Sequence, residues 1–305
     1  MKKLIVAGAS LALLFAPVAP ASANPTLPAG DVLYEMSCDG AINGFQLHSL
    51  NTSDNTRTAI GTSTGSVECA LGGTILRGSN WFYFKARINL FRTDVTSGVT
   101  EVIGEFREEG ADRDIKSLAI DDNGNAFALS EEALFSVDLS SGNLTTVAAT
   151  NFATLTGGTP LGFAYDPTTD KFYVAEDGDG NLYSLNMSTG ALTFIASNSD
   201  YWVGSMSFDS NGYLWVNGDT NQVSRVAISD FGNSANWIDS APLSPNVYSE
   251  SLVIARAPSG GSGDDEDNSD GSDSLANTGS ADATPYLLGG LLAAGIALAL
   301  RRRRV

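Results

Sequence analysis

A recurring pattern of strands and turns constrains the fold of this chain more than any other feature. Residues 117–148 and residues 162–196 each contain four short apolar runs, separated by three turns rich in Gly, Asn, Asp and Ser. The third run and its turn recur at intervals of 42 to 48 residues, near Asn51, Asp94, Asp138, Asn186 and, more weakly, Ile228. Repeats of about 40 to 45 residues are typical of propeller blades with four strands. The pattern therefore predicts a series of up-and-down, four-stranded sheets.

The positions of the first strands predict how these sheets form a ring. The pattern places first strands at residues 68–71, 117–120, 162–165, 205–208 and 251–254. The last of them has no strands after it, and the run at residues 31–36 has no first strand before it. A C-terminal strand that completes the N-terminal blade leaves no open sheet edge. We therefore predict an all-β fold, a five-bladed β-propeller over residues 29–257.

Two other architectures also fit a chain of short strands. Six blades result if the irregular residues 233–247 contain further strands. A pair of β-sandwiches would have two hydrophobic cores and a linker near the midpoint. The composition shows no break there, so the five-bladed ring is the preferred prediction.

Both ends of the chain carry processing signals. Lys2 and Lys3 precede an apolar stretch at residues 4–16, and Ala21-Ser22-Ala23 follows it. This order is typical of a secretory signal peptide with an A-x-A cleavage site, here residues 1–23. At the other end, residues 258–283 are rich in Ser, Gly and Asp. Such a segment has too few apolar side chains to order itself, which predicts a disordered acidic stalk.

The stalk contains the pentapeptide Leu275-Ala276-Asn277-Thr278-Gly279, and an apolar run at residues 286–300 and a basic end at residues 301–305 follow it. This order resembles the LPXTG-like sorting signal of cell-wall surface proteins in Gram-positive bacteria. Alanine at the second position is similar to the LAxTG signals of actinobacteria, which class E sortases process. The resemblance implies that a sortase joins Thr278 to peptidoglycan and releases everything from Gly279 onward.

The apolar run is somewhat short for a permanent membrane anchor. It has 15 uncharged residues, whereas a spanning helix usually has about 17 to 25. It therefore fits a transient transmembrane stop, with the basic end held in the cytoplasm by the positive-inside bias. The alternatives are an ordinary C-terminal membrane anchor and a lipid-anchor signal, and the terminal arginines disfavour the second. The expected product is secreted and anchored to the cell wall.

A second resemblance concerns the repeat itself. Residues 182–186 read LYSLN and are followed by Thr189-Gly190. This is similar to bacterial propellers whose blades carry LYxLN and a following TG. The resemblance implies the fold only, because the motif belongs to a third strand and its turn.

Composition excludes several classes of function. The net charge is −18, and removal of the basic ends makes the mature chain more acidic still, which disfavours nucleic acid as a partner. His48 is the one histidine, and it falls in a third strand far from the axis, where a packing or surface role is expected. A Ser-His-Asp triad or a multi-histidine metal centre is therefore excluded. We expect no cofactor.

Loops between predicted blades bring several polar and aromatic residues to one face of the ring. Aromatic side chains beside charged groups are typical of surfaces that bind glycans or proteins. The candidate ligand-binding residues are Tyr201, Trp202, Tyr248, Arg113, Lys116, Glu68, Asp114 and Glu250. These residues favour a non-enzymatic surface protein that displays the propeller for ligand binding or adhesion. A structural wall component without a ligand is a further alternative.

An extracellular hydrolase is the competing hypothesis. Glycosidases work with pairs of carboxylates, and Glu68, Asp114 and Glu250 fall at or just before first strands, beside the expected channel. In a domain so rich in acidic residues, solvated loop charges are the preferred explanation of the same three positions.

The cysteines and the acidic turns have structural explanations. Cys38 and Cys69 are expected to form a disulfide, because exported chains meet an oxidising compartment and the blade pattern places both on one face. Cys38 is assigned to the turn after the second strand of blade 1, and Cys69 to the start of blade 2. The Asp-Asn-Gly turns near Asp121 and Asp209 supply the positive φ of tight hairpins, so no metal site is expected there.

Overall fold

The computed structural model describes residues 24–39, 44–65, 69–152, 158–178, 180–217, 221–246 and 248–256. For residues 38–39, 44, 63–65 and 248–250 only the backbone is described. The predicted signal peptide, stalk, sorting signal (Leu275 to Gly279), transmembrane stop and basic tail lie outside these residues. Within the described ranges, no helix has both the length and the apolar character needed to cross a bilayer.

The described residues form antiparallel sheets of short strands. In chain order the strands are β1 (Val32–Asp39), β2 (Gly44–Asn51), β3 (Thr56–Gly65), β4 (Leu71–Ile75), β5 (Trp81–Ala86), β6 (Asn89–Asp94), β7 (Thr100–Glu105), β8 (Arg107–Glu108), β9 (Ala111–Asp112), β10 (Ser117–Ile120), β11 (Ala126–Leu129), β12 (Ala133–Val137), β13 (Leu144–Ala149), β14 (Gly162–Asp166), β15 (Lys171–Ala175), β16 (Asn181–Leu185), β17 (Leu192–Ser197), β18 (Ser205–Phe208), β19 (Leu214–Asn217), β20 (Val223–Val226), β21 (Ile238–Asp239) and β22 (Tyr248–Ala255).

These strands make a five-bladed propeller, as predicted. Blades 2 to 5 are formed by β4 to β7, β10 to β13, β14 to β17 and β18 to β21, with β8 and β9 forming a hairpin between blades 2 and 3. Blade 1 is formed by β22, β1, β2 and β3, from the axis outward. Connections between blades and turns between second and third strands share one face, which we call the upper face. Turns between first and second strands lie on the lower face.

The C-terminal strand closes the ring. β22 pairs antiparallel with β1, from Val32 opposite Ala255 to Cys38 opposite Tyr248. On its other side β22 pairs in parallel with β4, where Glu250 lies opposite Leu71. The last strand thus completes the first blade, and the predicted closure is confirmed.

The first strand of blade 2 is displaced from its predicted position. The first strand of blade 2 begins at Leu71 rather than at residue 68, and the β4 to β5 register shifts between Leu71 and Thr74. Gly72, with φ of 56°, lies against the neighbouring blade, where a Cβ would be 2.7 Å from the Cα of Ser117.

The six-bladed alternative is wrong. Most of residues 233–246 is irregular: the short 3₁₀ turn Ser234–Asn236 leads into β21, a two-residue outer strand of blade 5.

The hydrophobic core is divided among the seams between neighbouring blades. Aromatic side chains dominate several seams: Phe82 and Phe84 pack between blades 1 and 2, and Phe208 packs between blades 4 and 5. Trp215 is fully buried between blades 5 and 1. Each blade therefore buries its two faces against two neighbours, as in other repeat architectures.

The inner strands are joined across the seams by hydroxyl groups. The amides of Leu252 and Ile254 donate to the Oγ atoms of Ser205 and Ser207, at 2.9 and 3.0 Å. The amide of Ile120 donates to Oγ1 of Thr74 at 3.0 Å. The cavity on the axis has a volume of about 20 Å³, which is room for water only. The described side chains around this cavity therefore leave little open space on this part of the axis.

The acidic turns have the predicted positive φ, at Gly124 (85°) and Gly212 (79°), and their Asp side chains also accept hydrogen bonds from the turn backbone. Oδ1 of Asp121 accepts hydrogen bonds from the amides of Asn123 and Asn125, at 2.9 and 2.8 Å. Asp209 accepts in the same way from Asn211 and Tyr213, at 3.0 Å each. These contacts explain the acids as turn residues. No cluster of metal-ligating side chains occurs among the described residues.

Candidate functional site

A cleft of about 440 Å³ opens on the upper face between the β8–β9 hairpin and blade 3. The hairpin turns at Glu109 and Gly110, both with positive φ (50° and 84°). The hairpin supplies one wall of the cleft, and the turn between β11 and β12 supplies another. The cleft is lined by Glu108, Arg113, Asp114, Lys116, Ser130, Glu131, Glu132, Ala133, Phe135 and Thr146.

Lys116 lies immediately before the inner strand of blade 3 and is the central cation of the cleft. Its amide donates to the carbonyl of Leu129 at 2.8 Å, which fixes the backbone. Its Nζ lies 2.8 Å from Oδ2 of Asp114 and 3.4 Å from Oε1 of Glu131. Partial burial acts to lower the pKa of Lys116, but the two carboxylates outweigh it and the pKa is raised. The ammonium group is therefore charged at physiological pH.

Glu108 is held by donors on both sides. The hydroxyl of Thr146, on the outer strand of blade 3, donates to its Oε1, and Nη2 of Arg113 donates to its Oε2. The Thr146 hydrogen bond, followed by the contact with Arg113, lowers the pKa of Glu108. A general acid for glycoside cleavage needs a raised pKa, so Glu108 does not fit that role.

Three of the predicted site residues meet in this cleft: Arg113, Asp114 and Lys116. Two others, Tyr201 and Trp202, lie in the connection between blades 4 and 5. Tyr201 stacks on Trp237 between blades 4 and 5, with ring centroids 4.1 Å apart, and its hydroxyl donates to Oδ2 of Asp239 at 2.7 Å. Burial and then the Asp239 contact raise the pKa of Tyr201.

Trp202 is also held by the fold. Its Nε1 donates to Oδ1 of Asp177 in a turn of blade 4, and its ring is half-buried. A Cβ on Gly204 would lie 2.3 Å from the Trp202 ring, so the ring packs directly on the chain that leads into β18. Tyr201 and Trp202 therefore pack between blades and are not part of the cleft.

The three acids of the hydrolase hypothesis do not form a described cluster. Glu68 lies outside the described residues, and only the backbone of Tyr248 and Glu250 is described. The Asp114 side chain is 74% exposed and paired with Lys116.

Sequence reasoning missed several lining residues, among them Glu108, Ser130, Glu131, Glu132 and Thr146. The blade pattern places every turn between second and third strands on the upper face. That rule brings the polar turn of residues 130–132 beside the connection that carries Lys116. The β8–β9 hairpin has no counterpart in the repeat, and so the pattern could not locate Glu108.

The cysteines lie at the upper face. Cys38 is part of β1 rather than of the turn after it, which corrects the predicted position, and Cys69 lies two residues before β4. No cysteine in the described part of the chain has a free thiol. Because the Cys38 side chain is outside the described atoms, the Cys38–Cys69 disulfide stays a prediction.

His48 is a packing residue, in line with the prediction. It lies in β2, the third strand of blade 1, and is 5% exposed. Burial, together with the nearby charge of Arg57, lowers its pKa to about 4. The imidazole is therefore neutral at physiological pH and is buried near Arg57.

Comparison with protein families and with curated protein sequences gives no match. Solved structures are similar in fold. A chain of a nidogen/laminin complex is 13% identical with a TM-score of 0.50, over 74% of this chain and 98% of that chain. TolB from Acinetobacter baumannii is 13% identical with a TM-score of 0.48, over 76% of this chain and 68% of that chain. At such low identity the likeness to the first structure shows the propeller fold alone.

Proposed function

We propose that this chain is an exported surface protein, anchored to peptidoglycan through Thr278 by a class E-like sortase, that displays its propeller for ligand binding. The anchoring is supported by the signal peptide at one end and by the LANTG pentapeptide, apolar run and arginines at the other. The stalk of residues 258–283 would hold the ring away from the wall.

The cleft beside Lys116 is the observation that carries the binding function. Its volume of about 440 Å³ falls within the range of roughly 300 to 1,000 Å³ that ligand pockets occupy. Its ion pairs are largely at the surface, where each contributes little to stability. The charged groups can therefore give up these ion pairs and bind ligand atoms instead at a small cost in free energy.

The lining favours a glycan as the ligand. Carboxylates, two cations and the hydroxyls of Ser130 and Thr146 provide donors and acceptors in several directions, which suits a ligand with many hydroxyl groups. The one aromatic residue in the lining, Phe135, is buried, so a peptide with large apolar side chains finds little surface to cover.

Glycan-array screening of the exported protein, followed by calorimetry on the hits, tests the binding function. We expect saturable binding that Lys116→Ala weakens at least tenfold, because its ammonium group orders both Asp114 and Glu131. Lys171→Ala is the matched control, since Lys171 is an exposed lysine at the start of β15 in another blade. Equal binding by the two variants, or binding of proteins but no glycans, would contradict this site assignment.

Mass spectrometry of wall-released material tests the anchoring independently. The expected C-terminal residue is Thr278 linked to a peptidoglycan fragment, and Thr278→Ala should leave the protein in the membrane fraction. Recovery from the wall with the terminal arginines intact would rule out sortase anchoring.

The hydrolase hypothesis makes a different prediction from binding alone. Chromogenic glycosides would be turned over by the wild-type protein and not by Glu68→Gln. Such turnover would replace the binding function with an enzymatic one, whereas saturable binding without turnover supports the proposal above.

A further inference from the structure

A second polar site lies on the lower face, where Arg256 follows β22 and covers the end of the axis. The Arg256 side chain is 7% exposed. Its guanidinium carbon lies 5.8 Å from the ring centroid of Tyr165 in blade 4, and the residue also lines the small cavity on the axis. The position is therefore built into the ring and is independent of the cleft on the upper face.

The guanidinium group of Arg256 has more donors than the fold satisfies. Its Nη2 donates to Oδ1 of Asp122 at 2.6 Å, and Oδ2 of the same carboxylate accepts from Nη1 of Arg77. Two arginines thus share one carboxylate. Nη1 of Arg256 is buried and has no acceptor within the described residues, although buried donors in native proteins are nearly always paired.

The charges around Arg256 and its burial act on its pKa in opposite directions. Burial lowers the pKa of Arg256; Asp122 acts to raise it, and the neighbouring charge of Arg77 lowers it further. Asp31 also acts to raise the pKa of Arg256, while it accepts a hydrogen bond from the amide of Ser210 at 2.8 Å, and Asp121 accepts from amides of its own turn. The pKa of Arg256 is nevertheless lowered, because burial is the largest influence on it.

An open cavity adjoins the two arginines. It has a volume of about 220 Å³, and Val32, Leu76 and Ala255 line it together with Arg77 and Arg256. The turn at Gly78 forms the rim, where no atom lies within 4 Å of the position of a Cβ. The cavity thus combines a cationic end with an aliphatic wall.

We propose that this lower-face cavity binds a small monocarboxylate, with its carboxylate between Arg77 and Arg256 and its aliphatic body against Val32, Leu76 and Ala255. A guanidinium fork matches the planar geometry of a carboxylate. Three acids nearby disfavour a doubly charged ligand, so a phosphate dianion fits less well. The proposal does not depend on the glycan cleft or on anchoring.

Ligand-observed NMR with butyrate as the probe, on the full exported protein, tests the proposal. We expect saturable butyrate binding that butanol and inorganic phosphate do not compete away. Arg256→Gln and Arg77→Gln should each weaken it at least tenfold, and Arg92→Gln should leave it unchanged. Arg92 is the matched control because it pairs with Glu101 on the outer part of blade 2, at 2.7 Å.

The folding of the two arginine variants has to be checked separately. Arg77 is about a quarter exposed, so Arg77→Gln is expected to fold even if Arg256→Gln does not, and circular dichroism checks both. Absence of saturable butyrate binding, equal binding by all three variants, or displacement of butyrate by phosphate would each overturn the proposal.

Discussion

All seams bury apolar side chains, but their outer edges differ: the seam between blades 5 and 1 contains a buried ion pair, whereas close backbone turns lie between blades 1 and 2, 2 and 3, and 3 and 4. Between blades 3 and 4, the turn residue Gly190 (φ of 69°) lies so close to blade 3 that a Cβ would be 2.1 Å from the carbonyl oxygen of Ala149. Gly142 approaches blade 2 similarly, with Glu105 at 2.9 Å. Gly98 approaches blade 1, where the carbonyl oxygen of Ile60 would be 2.3 Å away.

The seam between blades 5 and 1 lacks a regular outer strand on the side of blade 5. The segment after β21 instead bonds to blade 1: the amide of Ser244 donates to the carbonyl of Asn55 at 2.9 Å, and the amide of Arg57 donates to the carbonyl of Ser244 at 2.7 Å. The Arg57 side chain donates to Glu35, to Asn221 and, at 2.8 Å, to the carbonyl of Pro245. Both members of the Arg57–Glu35 pair are buried.

The difference between the seams follows from the repeat. Between blades 1 and 2, 2 and 3, and 3 and 4, the same turn meets the outer strand of the preceding blade, and a glycine allows the close approach. Between blades 5 and 1 this turn is absent among the described residues, and the buried Arg57–Glu35 pair, with the bonds of Arg57 to Asn221 and Pro245, joins the two blades instead. A buried pair of this kind is costly to break by removing one partner.

The largest effect is expected from breaking that ion pair. Arg57→Leu leaves the carboxylate of Glu35 buried without its partner, so we expect a loss of about 3 to 5 kcal/mol in the free energy of unfolding. Arg92→Leu, which breaks an exposed pair, should cost less than about 1 kcal/mol. Urea denaturation measures both variants, and a similar loss in the two would remove the distinction between the seams.

The next largest effect concerns pH at the same seam. Since the pKa of His48 is about 4 in the folded state, below the ordinary value of 6.5 for a histidine, the unfolded chain binds a proton more readily between these values. Stability should therefore fall as the pH falls from 6.5 to 4, by up to about 3 kcal/mol at roughly 1.4 kcal/mol per unit.

Urea denaturation across this pH range, compared with His48→Gln, isolates the contribution of the imidazole. The variant should be less stable at pH 7 and should show a shallower decline toward pH 4. A decline of unchanged slope would mean that His48 does not titrate as its burial requires.

A smaller effect is expected at a regular seam. Gly190→Ala introduces a Cβ 2.1 Å from a backbone oxygen and strains a positive φ, which we expect to cost about 2 kcal/mol or more. Gly110→Ala is the matched control, because Gly110 also has positive φ (84°) but open space around it. Its cost should be about 1 kcal/mol. Thermal denaturation showing equal costs would mean that the turn does not seal the seam.

The smallest effect is expected at the inner strands, where both kinds of seam contain an amide–hydroxyl hydrogen bond between neighbouring blades. Thr74→Val and Ser207→Ala each remove a hydroxyl acceptor from an amide of the neighbouring inner strand. Each should cost about 1 kcal/mol, the usual contribution of one hydrogen bond. Unequal costs in urea denaturation would show that the inner strands, too, differ between the seams.

The sequence was sufficient to predict the ring, because the repeat and its turns are local. The first strands of blades 3 and 5 begin and end as predicted, at residues 117–120 and 205–208. The first strand of blade 2 was displaced, since the close approach of Gly72 to Ser117 is a contact between blades. No local pattern reports such a contact.

The candidate site was predicted only in part for the same reason. Arg113, Asp114 and Lys116 adjoin one another in sequence, and their placement follows from the blade pattern. Tyr201 and Trp202 were assigned to a binding surface because they are aromatic residues in a loop. Their partners, Asp239 and Asp177, come from other turns, and only the folded chain shows that these rings pack between blades.

Amide hydrogen exchange of β22 tests the closed ring most directly. The amides of Leu252 and Ile254 donate to hydroxyls of blade 5, and β22 pairs with β1 and β4 on its two sides. If the C-terminal strand closes the ring, these amides should exchange only on global unfolding, as slowly as the buried amide of Val174 in blade 4. Exchange at the rate of a fraying chain end, with Val174 still protected, would contradict the closed ring.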